Sequence, residues 1–129
     1  MHIVVIDSRQ LAGEADFPML DLDKYGWQQF VQLEQTEVAD RCWRSDVVIS
    51  FATPVTREVI DKAFKLQLII AAGDNTQHID MDAARQRGIT VCNTPGLYPD
   101  NAAHSQTICL QVINNINAWL KKQPVNQVT

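Results

Sequence analysis

The composition is that of an ordinary, mildly acidic protein of one domain. The chain has 129 residues, a net charge of −4 and 46% hydrophobic residues, and a chain of this size can bury a core without disulfides or metals. The acidic balance argues against nucleic acids and anionic membranes as partners, because both need a basic patch. No apolar run reaches the roughly 18 residues of a membrane span. Segment 3–6 has no basic region before it, which indicates a strand rather than a secretion signal, so we expect a cytoplasmic protein.

The three cysteines, Cys42, Cys92 and Cys109, are far apart in the sequence. No Cys-x-x-Cys pair and no Cys/His spacing typical of zinc sites is present. Free cysteine packs as a small hydrophobic residue. We therefore predict three reduced, mostly buried thiols and no metal site.

Apolar periodicity alternates between short β-branched runs and longer segments of helical period. The short runs predict five strands, at 3–6, 30–33, 46–50, 66–72 and 89–92. The longer segments predict four helices, at 36–44, 57–64, 81–87 and 101–122, with candidate N-caps at Thr36, Thr56, Asp80 and Asp100. Gly88 is expected to end the third helix. Segment 8–24 is less regular, and we expect the tail 123–129 to fray.

Strands that alternate with helices predict crossover connections and a parallel sheet covered on both faces. We therefore predict a flavodoxin-like α/β domain over residues 1–122, with strand order 2-1-3-4-5 and a long C-terminal helix. Ligands of such folds bind beyond the carboxyl ends of the strands, where loops 51–54, 73–76 and 93–96 converge. Successive loop amides can form a donor site for an anion. Spacing alone leaves open that these loops are merely tight turns.

Asp7 directly follows the first strand and invites comparison with phospho-receiver domains. That function needs an acidic residue after the third strand and a lysine after the fifth, where Ser50 and Asn93 stand. The residues after Asp7 are also a poor phosphate loop for a flavin. We exclude the first function and disfavour the second.

Two stretches match the pattern of a known family. They are Leu66 to Asp80 (LQLIIAAGDNTQHID) and Ala83 to Gly96 (AARQRGITVCNTPG). Both resemble the D-isomer-specific 2-hydroxyacid dehydrogenases, and the similarity is greatest to the glycerate dehydrogenase or hydroxypyruvate reductase branch. The resemblance is specific between residues 46 and 100 and weak between 8 and 45.

The resemblance implies a two-domain enzyme that uses NAD(P), with a nucleotide-binding domain inserted after the long helix. It implies that the backbone amides of Gly73 and Asp74 hold the substrate carboxylate, in a site that also includes Phe51, Ala52 and Asn75. It places the catalytic arginine, its acidic partner and the catalytic histidine in or just after the nucleotide domain. By resemblance, then, no catalytic residue and no cofactor-binding residue lies in this chain.

Three departures from the family pattern bear on activity. No Gly-x-Gly-x-x-Gly occurs in the 129 residues, and the chain ends where the nucleotide domain is expected. Asn75 replaces the second loop glycine, and the Asp74 carboxylate would repel an anion unless it points away. Phe51 and Ala52 replace an Asn-Lys pair.

We therefore predict a truncated substrate domain that is inactive as a dehydrogenase by itself. It would bind a small 2-hydroxy or 2-oxo acid, or a protein partner. The alternative is one part of an active NAD(P)-dependent oxidoreductase that a separate nucleotide-binding domain completes.

The last predicted helix carries apolar residues on more than one face. They are Ile108, Cys109, Val112, Ile113, Ile116, Trp119 and Leu120. Without a second domain one of these faces would be exposed, and such patches usually mark an interface. We predict a homodimer through the helix from Asn101 to Lys122, with exchange of that helix as one possible arrangement.

Two histidines complete the sequence-based predictions. His78 is expected to be a loop or surface residue, and His104, in the first turn of the last helix, a neutral hydrogen-bonding residue.

Overall fold

The computed structural model describes residues 1–129 and contains one five-stranded parallel sheet in the order β2-β1-β3-β4-β5. The strands are β1 (His2–Val5), β2 (Gly26–Gln29), β3 (Val47–Ser50), β4 (Leu68–Ala71) and β5 (Thr90–Asn93). The helices are α1 (Gln35–Cys42), α2 (Arg57–Lys62), α3 (Met81–Gln86) and α4 (Ala102–Leu120). The predicted fold class and strand order are confirmed. None of the four helices is long and apolar enough to cross a membrane.

The second strand lies four residues earlier than the sequence predicted. The apolar run 30–33 was expected to form it, but Gly26–Gln29 pairs with β1, in the register His2 with Gly26. Leu33 instead turns into the core, where it is 6% exposed. The physical reason is that β2 is an edge strand and exposes Gln28 and Gln29, so its own residues show little apolar pattern.

One face of the sheet is covered by α1, α2 and α3. Their buried residues pack against alternate residues of the strands, including Val4, Val48, Ile69 and Val91. All four residues of β3 and all four of β4 are buried. Central parallel strands that are covered on both faces have near-continuous apolar sequences, which is why these two strands could be predicted.

The opposite face is covered by α4 and by the irregular segment 11–25. This core includes Ile108, Val112, Ile113 and Ile116 of the helix, and Leu20 of the segment. Backbone N–H groups of the segment donate to α4 side chains. Ala12 donates to Ser105 Oγ at 2.9 Å, and Asp21 donates to Asn117 Oδ1 at 3.0 Å.

The expectation that α4 keeps an uncovered second apolar face is wrong. Its buried apolar residues are at most 2% exposed, and Leu110, at 47%, is its one exposed large apolar side chain. Trp119 and Leu120 pack partly buried against the same core. Segment 11–25 occupies the face that was assigned to a second subunit, and it lacks the periodicity by which an element is predicted. The homodimer itself stays a prediction.

Side-chain caps begin three of the helices. Thr56 accepts from the Val59 N–H and Asp80 from the Ala83 N–H, as predicted. The cap of α4 is Asn101 and not Asp100, because Asn101 Oδ1 accepts the His104 N–H. Helix α1 begins one residue before Thr36, and Glu34 in the capping position makes no side-chain bond.

The tail 123–129 does not fray but returns along β5. The Asn93 N–H donates to Asn126 O at 3.1 Å, and the Val128 N–H donates to Val91 O at 2.8 Å, in an antiparallel bridge. The tail differs from the expectation because β5 is an edge strand whose outer backbone groups need partners. Nothing in the composition of the tail shows this requirement.

Candidate functional site

The three loops predicted to converge do meet at the carboxyl ends of the strands. A cavity of about 170 Å³ lies there, and all five predicted site residues line it. The lining residues are Gln10, Phe51, Ala52, Ala72, Gly73, Asp74, Asn75, Leu97, Tyr98 and Pro99. Since no Lys or Arg is among them, an anion bound here would be held by neutral donors. Four larger clefts, of about 260 to 490 Å³, contain none of the predicted site residues, and the two largest of them lie at the amino ends of the strands. Parallel α/β sheets bind ligands at the other end.

Asp7 fixes the loop after β3, a role that the sequence analysis missed. Its carboxylate accepts the N–H groups of Phe51, Ala52 and Thr53 and the Thr53 hydroxyl, each at 2.8 Å. Asp7 is fully buried, and a buried carboxyl group requires such partners. An acidic residue directly after a buried strand was the signal that could have revealed this role. The amides at Phe51 and Ala52 are therefore not free for a ligand.

The amides of Gly73 and Asp74 are also already bonded. The Gly73 N–H donates to Thr94 Oγ1 at 2.7 Å, and the Asp74 N–H donates to Leu97 O at 2.9 Å. Both bonds tie the loop after β4 to the loop after β5. The resemblance implied that these two amides hold a carboxylate, and the structure instead uses them within the chain. The next two N–H groups, of Asn75 and Thr76, have no acceptor in the chain.

The Asp74 carboxylate faces the turn after β5. It accepts the Gly96 N–H at 2.7 Å and the Tyr98 hydroxyl at 3.1 Å. The hydrogen bond to Asp74 raises the pKa of Tyr98, because it favours the neutral phenol, and the nearby negative charge acts in the same direction. Gly73 and Gly96 have φ values of +118° and +73°, which glycine adopts readily.

Phe51 and Asn75 contribute differently to the cavity. Phe51 is 7% exposed and its ring lies 6.4 Å from that of Phe17, so it forms an apolar wall continuous with the core. Asn75 is exposed, and its Oδ1 accepts the Gln77 N–H at 2.7 Å. This bond forms an Asx turn, which bends the loop after β4.

The two histidines lie outside the lining of the cavity. His78 is half-buried, and its Nε2 lies 3.1 Å from Ser50 O. His104 is exposed and pairs with Asp100 at the start of α4. The hydrogen bond from His104 lowers the pKa of Asp100. Neither ring is placed to act on a ligand in the cavity.

The fold and this arrangement of loops define a doubly wound α/β domain with its candidate site at the carboxyl edge of the sheet. Comparison with known proteins identifies the family. The family description "D-isomer specific 2-hydroxyacid dehydrogenase, catalytic domain" matches residues 7–129. The chain therefore belongs to the D-isomer-specific 2-hydroxyacid dehydrogenase family and corresponds to its catalytic domain.

Individual relatives support the assignment. A Haemophilus influenzae protein assigned to the 2-hydroxyacid dehydrogenases is 26% identical over 125 residues, which are 95% of this chain and 39% of the relative. The hydroxypyruvate reductase of Thermotoga maritima is 33% identical over 86 residues, 58% of this chain and 28% of the relative. The NAD⁺-bound 3-phosphoglycerate dehydrogenase of Entamoeba histolytica has a TM-score of 0.61 and 26% identity, covering 74% of this chain and 33% of that structure.

The chain spans only part of these proteins. It covers between 9% and 39% of the length of the curated relatives that it matches.

Proposed function

We propose that this chain is a substrate-binding domain that holds a small 2-hydroxy or 2-oxo carboxylate and does not transfer hydride by itself. The observation that carries the proposal is the pair of adjacent, unbonded N–H groups of Asn75 and Thr76, in a loop that borders a cavity lined by every predicted site residue. Two neighbouring backbone donors are a recurring way to bind a carboxylate.

The electrostatics of the cavity favour weak binding. The carboxylate of a ligand would receive two neutral hydrogen bonds and no cation, with the Asp74 carboxylate in the same lining. The bonds from Gly96 and Tyr98 to Asp74 offset part of the repulsion. We therefore expect a dissociation constant on the order of 1 mM, about −4 kcal/mol.

The chemistry of the cavity favours binding without turnover. The titratable groups among its lining residues are Asp74 and Tyr98, and these are hydrogen-bonded to each other. A general base has to reach the hydroxyl proton of the substrate, and both oxygens of the Asp74 carboxylate already accept a hydrogen bond, from Gly96 and from Tyr98. The 129 residues also contain no Gly-x-Gly-x-x-Gly loop for a dinucleotide.

The alternative is that the domain serves within an active oxidoreductase whose nucleotide-binding domain is supplied separately. The observation in its favour is the likeness to an NAD⁺-bound dehydrogenase. In that arrangement NAD(P) and the catalytic groups would come from the other domain, and this chain would contribute the carboxylate-binding loop.

Titration of ¹⁵N-labelled protein tests the proposed function. Glyoxylate and D-glycerate, up to several times the expected dissociation constant, should shift the amide resonances of Asn75 and Thr76 downfield and saturate. Glycolamide, which is neutral and of similar size, is the control ligand and should leave them in place. If neither acid moves these two resonances, carboxylate binding at this loop is wrong and a role in binding a protein partner gains support.

An activity assay tests what both alternatives expect, namely that the chain does not transfer hydride by itself. The chain with NADH and hydroxypyruvate or glyoxylate should show no change in absorbance at 340 nm. Turnover by the chain alone would refute the inactive-domain proposal.

The cytoplasmic location stays a prediction.

A further inference from the structure

Three asparagines from distant parts of the chain form a closed ring of hydrogen bonds behind the candidate site. Asn126 Nδ2 donates to Asn115 Oδ1 at 2.9 Å, and Asn115 Nδ2 donates to Asn93 O at 2.8 Å. The Asn93 N–H closes the ring by donating to Asn126 O at 3.1 Å. Asn115 is fully buried and Asn93 is 8% exposed. The ring thus joins the tail, α4 and β5 in the interior.

The ring also reaches the carboxylate-binding loop. Asn93 Nδ2 donates to Asp74 O at 3.0 Å. The Asp74 carbonyl belongs to the same peptide unit as the Asn75 N–H. No peptide bond in the chain is cis, and in a planar trans peptide the C=O and N–H groups point in opposite directions. Holding the Asp74 carbonyl toward Asn93 therefore aims the Asn75 N–H away from Asn93.

We propose that Asn93, Asn115 and Asn126 are positioning residues that orient the Asn75 amide for a carboxylate, and that the tail carrying Asn126 thereby sets the affinity of the site. The ligand in this inference rests on the proposed function, whereas the orientation of the peptide unit does not.

The location of Asn115 indicates that the ring of asparagines does more than pair the tail with the edge strand β5. It lies on the sheet side of α4, next to the buried Ile116. A buried amide is costly unless it is hydrogen-bonded. Asn126 supplies the one side-chain donor to its Oδ1, so removal of the tail side chain leaves that oxygen without a partner. Loss of this bond would change the position of Asn93, because the Nδ2 group of the same Asn115 amide donates to Asn93 O.

The test compares Asn126→Gly with Lys122→Gly. Both residues have positive φ, 56° at Asn126 and 61° at Lys122, so glycine suits either backbone. Asn126→Gly removes the bond to Asn115, but the main-chain acceptor for Asn93 stays. Lys122 makes no side-chain hydrogen bond and lies outside the ring, so Lys122→Gly is the matched control.

Spectra without ligand decide the positioning role. In ¹⁵N spectra, Asn126→Gly should move the Asp74, Asn75 and Thr76 amide resonances, while Lys122→Gly leaves them in place. The dissociation constant for glyoxylate should rise roughly fivefold in Asn126→Gly, the effect of about one hydrogen bond, and stay unchanged in the control.

Resonance changes in Asn126→Gly that are confined to residues near 91–93 and 115 would overturn the inference, as would equal effects of the two variants. If the wild-type chain fails to bind glyoxylate, the proposed function fails, and the ligand-free spectra still decide whether the ring orients the loop. Circular dichroism confirms that both variants are folded.

Discussion

At the scale of single residues, the buried carboxylate of Asp7 holds the loop after β3 in place. One side chain accepts four hydrogen bonds and determines the course of residues 51–53. These residues border the candidate site, so Asp7 contributes to the site without lining the cavity. The receiver-like position of Asp7 at the end of β1 thus has a structural explanation.

Replacement of Asp7 should destabilise the fold strongly. In Asp7→Ala three backbone N–H groups lose their acceptor, and each unsatisfied buried group costs about 1–3 kcal/mol, so the free energy of unfolding should fall by at least about 3 kcal/mol. The unfolding free energy of Asp7→Asn should lie between those of Asp7→Ala and the wild type, because one side-chain oxygen remains an acceptor. Urea unfolding measures the change.

Asp23→Ala provides the comparison for Asp7, because Asp23 is exposed and makes no side-chain hydrogen bond. Its unfolding free energy should stay within about 0.5 kcal/mol of the wild type. Equal stabilities of Asp7→Ala and Asp23→Ala would contradict the role assigned to Asp7.

At the scale of elements, segment 11–25 takes the place of a helix. A five-stranded sheet needs cover across its whole width, and α4 alone does not provide it. Leu20 and Phe17 extend the apolar layer beside α4, and the Phe17 ring lies 5.2 Å from that of Trp27 in β2. The segment has no regular hydrogen-bond pattern of its own. Hydrogen bonds from its backbone N–H groups to side chains of α4 therefore hold it in place.

Truncation of Leu20 should show how much this cover contributes. Leu20 is 5% exposed, whereas the adjacent Met19 is 79% exposed. Leu20→Ala should lower the free energy of unfolding by about 2–5 kcal/mol through lost burial and a cavity. Met19→Ala should change it by less than about 0.5 kcal/mol. Thermal or urea unfolding measures both variants. Equal and small losses of unfolding free energy in the two variants would contradict a structural role of the segment.

At the scale of the whole molecule, both faces of the sheet are closed within one chain. This closure removes the argument for a second subunit on α4, since its apolar side chains other than Leu110 already have partners. Sedimentation at high protein concentration remains the measurement for the predicted homodimer.

The reactivity of the three buried thiols tests whether both faces of the sheet are closed. Cys42, Cys92 and Cys109 are buried on α1, β5 and α4, and burial raises the pKa of Cys42 to about 12, of Cys92 to about 11 and of Cys109 to about 12. Because the thiolate is the reactive form, the native protein at pH 8 should react negligibly with Ellman's reagent. The denatured chain should release three equivalents.

Rapid reaction of one thiol in the native state would show that the element carrying it opens. Stability should also fall as the pH rises above about 9, because the unfolded thiols ionise there while the folded ones stay protonated.

The sequence by itself determined four of the five strands, their order and the edge of the sheet that carries the site. The apolar runs of β3 and β4 are continuous, as is typical of buried parallel strands. The side-chain caps Thr56 and Asp80 depend only on residues close in sequence. The residues around Gly73 carried the family resemblance. These features are readable because each depends on a short stretch of chain.

Only the tertiary structure decided which groups are free and which are used. The Gly73 N–H donates to Thr94, the Asp74 N–H donates to Leu97, and the N–H groups of the loop after β3 donate to Asp7. The N–H groups that stay unbonded are therefore those of Asn75 and Thr76. The course of segment 11–25 and the return of the tail were likewise set by distant partners. The physical reason is the same in each case: a hydrogen bond or a covered apolar face depends on residues far away in sequence, which periodicity and capping patterns do not record.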